Sequence, residues 1–155
     1  MIRIISIVFL LFLNSCDYSP LYSKNKNSNF SIDSLQISGD KDLNAYLKKG
    51  LALYVNENSE KKYKILIETS FSKNILAKDK SANTTDYKLI ASVQMDFIKI
   101  NLNNVSNENR KIRFEEFVNI KKNSNTFEQT TYEYISKTNL AEIILDKIIL
   151  VLNKN

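Results

Sequence analysis

Through the middle of the chain, apolar and polar residues exchange places with a period of two. Tyr63, Ile65, Ile67, Thr69, Phe71, Ile75 and Ala77 share one parity, and Lys64, Glu68, Ser70, Ser72, Asn74 and Lys78 share the other; Leu66, Leu76 and Lys73 are the exceptions. Successive side chains on a strand point to opposite faces, so this run predicts one long, half-buried strand. The alternation returns at Tyr87, Leu89, Ala91, Val93, Met95 and Phe97, and again at Ile112, Phe114, Val118 and Ile120. The polar segments between these runs, Asp79 to Thr85 and Asn103 to Asn109, read as the turns of two hairpins.

Before and after this block the pattern changes. From Phe30 to Ile37 the alternation slips between Ile32 and Leu35, which predicts a first strand with a bulge. Asp40 or Asp42 can cap a helix in which Leu43, Tyr46, Leu47, Leu51 and Tyr54 make one apolar stripe. Gly50 lowers the propensity of that helix by ~1 kcal/mol without forbidding it. The last element opens with Thr126 and Gln129 at capping-box spacing and runs through Phe127, Tyr134, Ile135, Leu140, Ala141, Ile144, Leu145, Ile148 and Leu152. Unbroken, it is a helix of roughly 40 Å. Together these elements predict a two-layer α+β domain, with two helices packed on one face of a four-stranded, mainly antiparallel sheet.

The start of the chain follows neither period. Met1, Ile2 and Arg3 precede the mostly apolar stretch from Ile4 to Leu13, which is too short to span a membrane well. Leu13, Asn14, Ser15 and Cys16 then have the layout of a bacterial lipoprotein signal, ending on the only cysteine. The expected organisation is a signal peptide over 1–15, a lipidated tether over 16–29 and a single domain over 30–155. Cys16 is the expected anchor, carrying N-palmitoyl and S-diacylglycerol groups, whose methylenes contribute ~0.8 kcal/mol each in the bilayer. Removal of the signal leaves roughly 140 residues, enough for one domain with its own core.

Charge and composition mainly exclude. The net charge is +5, about +4 once Arg3 leaves with the signal. The lysines are scattered, so nucleic acid is not an expected partner. With Cys16 lipidated, no disulfide can form, and no cysteine cluster holds a metal. The chain has no histidine and only two glycines, Gly39 and Gly50. Ser-His and Cys-His nucleophiles, common hydrolytic zinc sites and phosphate-cradling loops are therefore not available. Glu115 and Glu116, adjacent on a strand, point to opposite faces and cannot flank one bond. No catalytic residue, metal or cofactor is expected.

The sheet face away from the helices is more informative. It is expected to carry Lys64, Leu66, Glu68, Lys88, Ile90, Ser92, Gln94, Arg113, Glu115, Phe117, Asn119 and Lys121. Apolar side chains among basic ones suit either a solvated surface or a docking surface for a partner or an amphiphile with a phosphorylated head.

Cys16, Asp17, Tyr18, Ser19, Pro20, Leu21 and Tyr22 resemble the opening of the LptE family of lipopolysaccharide-assembly lipoproteins, particularly its alphaproteobacterial form. The segments Leu35 to Val55, Thr85 to Leu89 and Phe127 to Leu152 follow in that family's order. The resemblance implies an outer-membrane lipoprotein on the periplasmic side, seated inside an LptD-type β-barrel and assisting lipopolysaccharide assembly. Family members are thought to bind lipopolysaccharide. From face geometry rather than any family motif, Lys88, Arg113 and Lys121 are the candidate lipopolysaccharide contacts. The two hairpin turns are the candidate barrel contacts. Asp17 fits an alternative, an auxiliary periplasmic lipoprotein subunit of a lipid-trafficking ABC transporter at the inner membrane.

Overall fold

The computed structural model describes residues 29–55, 59, 61–100 and 109–154. The leader, Cys16, the tether up to residue 28 and most of the turn expected over 103–109 lie outside the described residues.

In chain order the elements are β1 (Phe30–Gly39), α1 (Lys41–Leu51), a 3-10 turn (Ala52–Tyr54), β2 (Lys61–Lys78), β3 (Thr84–Ile100), β4 (Asn109–Lys121) and α2 (Thr126–Lys154). The four strands form one sheet in sequence order. β1 runs parallel to β2 because α1 carries the chain back between them, whereas β2, β3 and β4 are antiparallel neighbours. Both helices cover one sheet face, as expected for the α+β class.

Register explains the alternation. Ile32 pairs with Tyr63 and Ser34 with Lys64, so Asp33 is the extra residue of the expected bulge. Past it, Leu35 and Ile37 face the helices opposite Ile65 and Ile67. Leu43, Leu47 and Leu51 of α1 and Leu140, Ile144, Ile148 and Leu152 of α2 close over Ile65, Ile67, Leu89, Val93 and Met95. Burying each such side chain stabilises by about 1.5–3 kcal/mol. An aromatic group seals one end: Phe30 stacks on Tyr54 with centroids 4.8 Å apart, and Tyr63 meets Phe30 and Phe97 edge-on at 6.2 and 5.8 Å.

Local chemistry sets the boundaries. Gly39 ends β1 at φ 108°, where an added Cβ would fall 2.0 Å from the Thr69 carbonyl oxygen. Asp40 is the N-cap of α1, its Oδ1 accepting from the Asp42 and Leu43 amides at 3.1 Å each. The β2–β3 turn is organised by Asp79, whose Oδ1 accepts from the amides of Ser81 at 2.8 Å and Asn83 at 2.9 Å. The hydrogen bond from Asn83 is the largest influence holding the Asp79 carboxyl below its ordinary range.

Three expectations are corrected. The cap of α2 is Asn125, one residue earlier than the Thr126 box: Asn125 Oδ1 accepts from Phe127 and Glu128 amides at 3.0 and 3.3 Å. Gln129 instead accepts from the Asn123 amide at 2.6 Å, bracing the preceding loop. Phe127, Tyr134 and Ile135 are exposed rather than in the core; the buried stripe of α2 starts at Ser136. Ile75, placed on the buried parity of β2, is 56% exposed, because the end of the β2–β3 hairpin runs past the helix layer. An extra residue in β2 between the pairs Ile75–Tyr87 and Ala77–Asp86 also breaks the parity there.

Candidate functional site

The open sheet face presents the even-numbered residues of β2 and β3 and the odd-numbered residues of β4. Lys88, Arg113 and Lys121 all lie on it, but at different places. Lys88 stands opposite Asn119, Ile90 opposite Phe117 and Lys121 opposite Asp86. Lys88 and Lys121 are thus diagonal cross-strand neighbours, at a spacing of roughly 7–8 Å. Arg113 stands opposite Gln94, six residues from Asn119 along β4, or roughly 20 Å away.

The two ends of the face differ in chemistry. Lys88 Nζ sits 4.0 Å from the centroid of the Phe117 ring, and that ring is 57% exposed. A cation over an exposed aromatic face, with Ile90 across the strand, gives a surface both apolar and positive. Asp86, at the end of this cluster, accepts from the Thr85 hydroxyl at 2.7 Å. Beside it, an open cleft of about 630 Å³ is lined by Thr84, Thr85, Asp86, Lys121, Lys122 and Asn123 among others. It can admit an anionic group next to Lys121 and Lys122.

Arg113 is already engaged. Its Nη2 donates to Glu115 Oε2 at 2.8 Å, and the Ser92 hydroxyl lies 3.4 Å from the same oxygen. The shallow cleft of about 170 Å³ at this position is lined by Glu68, Ser92, Gln94 and Arg113 together with Thr69 and Ser70. It mixes both charges and lacks the exposed aromatic of the other end.

Several residues of this face were not anticipated. β3 continues past Phe97, which adds Ile98 and Ile100 to the open side. The period-two signal that would have revealed them is present in the sequence. Asp96 faces Lys111, with the ion pair at 3.6 Å, and its Oδ1 has no hydrogen-bond partner among the described residues. Among the described residues no group of three or more acidic, histidine or cysteine side chains could hold a metal ion, and no helix is long and apolar enough to cross a membrane.

Comparison with solved structures identifies the fold. The crystal structure of the rare lipoprotein B from Shewanella oneidensis matches 79% of this chain and 93% of its own, at 15% identity and a TM-score of 0.58. A lipoprotein from Caulobacter crescentus CB15 covers 82% of this chain and 89% of its own, at 15% identity and a TM-score of 0.49. Uncharacterized lipoprotein B from Nitrosomonas europaea covers 79% and 83%, at 13% identity and a TM-score of 0.49. The Shewanella likeness establishes a shared fold. No family model and no curated protein matches the sequence.

Proposed function

We propose that this chain is a lipid-anchored assembly lipoprotein of the LptE type. Cys16, bearing N-palmitoyl and S-diacylglycerol groups, holds it on the periplasmic side of the outer membrane. There it partners and plugs an LptD-type β-barrel and assists lipopolysaccharide assembly. It works as a scaffold and not as a catalyst. The observation that carries this reading is the conjunction of the residues Leu13 to Cys16, which have the layout of a lipoprotein signal, with a domain that shares the fold of the rare lipoprotein B from Shewanella oneidensis. Residues 1–15 are the signal, 16–29 the lipidated tether and 30–155 the domain.

The open face supports a role with lipopolysaccharide. A phosphorylated amphiphile presents anionic groups beside acyl chains, and Lys88 with Lys121 beside Phe117 and Ile90 offers the complement. The β2–β3 turn, 79–85, and the segment 103–109, most of which lies outside the described residues, are the proposed barrel contacts.

The test is a pull-down of C-terminally tagged protein from detergent-solubilised membranes, with mass spectrometry of the bound material. A stoichiometric large β-barrel of the LptD type is the expected result. Recovery of an inner-membrane transporter instead would favour the auxiliary-subunit reading, for which Asp17 beside the lipid cysteine is the relevant feature. In parallel, Cys16→Ala is expected to release the protein from membranes; unchanged fractionation would remove the anchor from the proposal.

A further inference from the structure

The seam between α1 and α2 contains an apolar cleft. It measures about 170 Å³ and is lined by Tyr46, Lys49, Gly50, Leu53 and Leu145. Leu145 at its floor is 3% exposed, whereas Leu53 at its rim is 40% exposed. Gly50 lets the two helices meet closely beneath it, since a Cβ there would lie 2.3 Å from Leu145 Cδ2. The cleft has room for an apolar side chain or a short apolar segment, and is too small for a folded partner.

We propose that the segment Tyr18 to Tyr22 of the same chain docks in this cleft, with Leu21 or Tyr22 seated against Leu53 and Gly50. Two observations select this occupant. The first is where the described chain begins. Phe30 stacks on Tyr54, the residue directly after Leu53, so the segment preceding β1 starts at the end of α1 that carries the cleft. Tyr22 is separated from Phe30 by residues 23–29, which extend to roughly 25 Å at most. A helix is roughly 10 Å across, so this linker can cross the end of α1.

The second is composition. Residues 23–29 are Ser, Lys, Asn, Lys, Asn, Ser and Asn, with no apolar member. Tyr18, Leu21 and Tyr22 stand immediately before them, grouped around Pro20. A docking segment needs both an apolar group and a polar linker, and residues 18–29 supply them in that order. Pro20 also fixes one backbone dihedral and so lowers the entropy lost on ordering. Docking would draw Cys16 toward the helix layer and so set the orientation of the domain against whatever holds the cysteine. The inference rests on the cleft and the linker alone, and it holds with or without the proposed barrel partner.

The test places a benzoylphenylalanine crosslinker at position 53 in the full chain within membranes, followed by proteolysis and mass spectrometry. An intramolecular product joining position 53 to the peptide over 17–24 is expected, and the same crosslinker at position 76 is expected to give none. Products only with another protein, a second copy or lipid, or no intramolecular product at all, would overturn the proposal. Amide exchange provides a second reading on purified full chain. Leu21→Asp is expected to speed exchange over 50–54 roughly tenfold, the loss of one buried leucine contact. Unchanged exchange there would also overturn it.

Discussion

Lys137 Nζ lies 2.8 Å from Asp40 Oδ2 and 2.7 Å from Oδ1, the oxygen that also caps α1. One side chain therefore both closes the N-terminus of α1 and ties that terminus to α2. Lys137 also meets Asp42 at 2.7 Å and lies 4.7 Å from the Phe71 ring centroid, with only 12% of its side chain exposed. We expect Lys137→Met to cost about 2 kcal/mol, because Asp40 keeps its burial and loses a charged partner. Asp40→Ala is expected to cost a similar amount, about 1 kcal/mol of it from the lost cap. The double variant should lose less than the sum by at least about 0.5 kcal/mol. Urea unfolding of the four proteins checks this; strictly additive losses would show that cap and ion pair act separately.

The same pair sets a dependence on pH. Burial on its own would raise the Asp40 pKa, but the Lys137 hydrogen bond and charge, with the Leu43 and Asp42 amides, outweigh it and hold the carboxyl below its ordinary value. Its stabilisation is present above the ordinary aspartate value and is lost as pH falls through the lower folded one. Lys137 is the mirror case: burial would lower its pKa, and its bonds to Asp40 and Asp42 raise it instead. That contribution is complete below the ordinary lysine value and is lost as pH rises past the raised folded one. Thermal stability is therefore expected to be level from pH 6 to 9 with respect to this pair and to fall on both sides. In Lys137→Met both losses should be smaller than in the parent; parallel curves for the two proteins would contradict the assignment.

Gly50 tests the helix seam. Propensity alone favours Gly50→Ala by ~1 kcal/mol. The added Cβ would meet Leu145 Cδ2 at 2.3 Å, Cδ1 at 3.1 Å and Cγ at 3.2 Å, so the whole side chain must move within a packed seam. Overpacking of this kind costs about 1–3 kcal/mol. A net loss of about 1 kcal/mol is expected in chemical denaturation, with Gly50→Ala largely tolerated when Leu145→Ala is present. A stabilised single variant would mean that α1 and α2 separate easily.

These cases show how far the sequence could be read. The period-two runs marked the buried faces of β2, β3 and β4 correctly from Tyr63 to Phe71, from Leu89 to Phe97 and at Phe114 and Ile120, because one covered sheet face imposes alternation directly. The i, i+3, i+4 stripe similarly marked Leu43, Leu47 and Leu51. The pattern failed where elements outrun the core: Ile75, Phe127, Tyr134 and Ile135 keep an apolar identity but extend past the layer that would bury them. Nor could one-dimensional spacing show Gly50 as a contact point or place Lys88 beside Lys121. The first depends on how the two helices pack, which sets Leu145 against Gly50, and the second on the β3–β4 register.

The separation of Arg113 from Lys88 and Lys121 yields an ordering within the proposed lipopolysaccharide contact. Lys88 rests on an exposed ring and Lys121 is its diagonal neighbour, so both lie where an anionic headgroup could meet apolar surface. Arg113 already spends its charge on Glu115 at 2.8 Å, in a pairing that is solvated on both sides. Exposed pairs of this kind contribute about 0–1 kcal/mol, so reversing Arg113 should leave the fold intact. The triple reversal Lys88→Glu, Arg113→Glu and Lys121→Glu is expected to weaken lipopolysaccharide binding strongly. Lys88→Glu with Lys121→Glu should account for most of that loss, and Arg113→Glu alone for little. Phe117→Ala should weaken binding as well, since it removes both the apolar platform and the partner of Lys88. Equilibrium binding to purified lipopolysaccharide, with circular dichroism to confirm folding, checks the order. Equal affinity in the triple variant would take the open face out of consideration, and a dominant effect of Arg113→Glu would move the contact to the opposite end of β4.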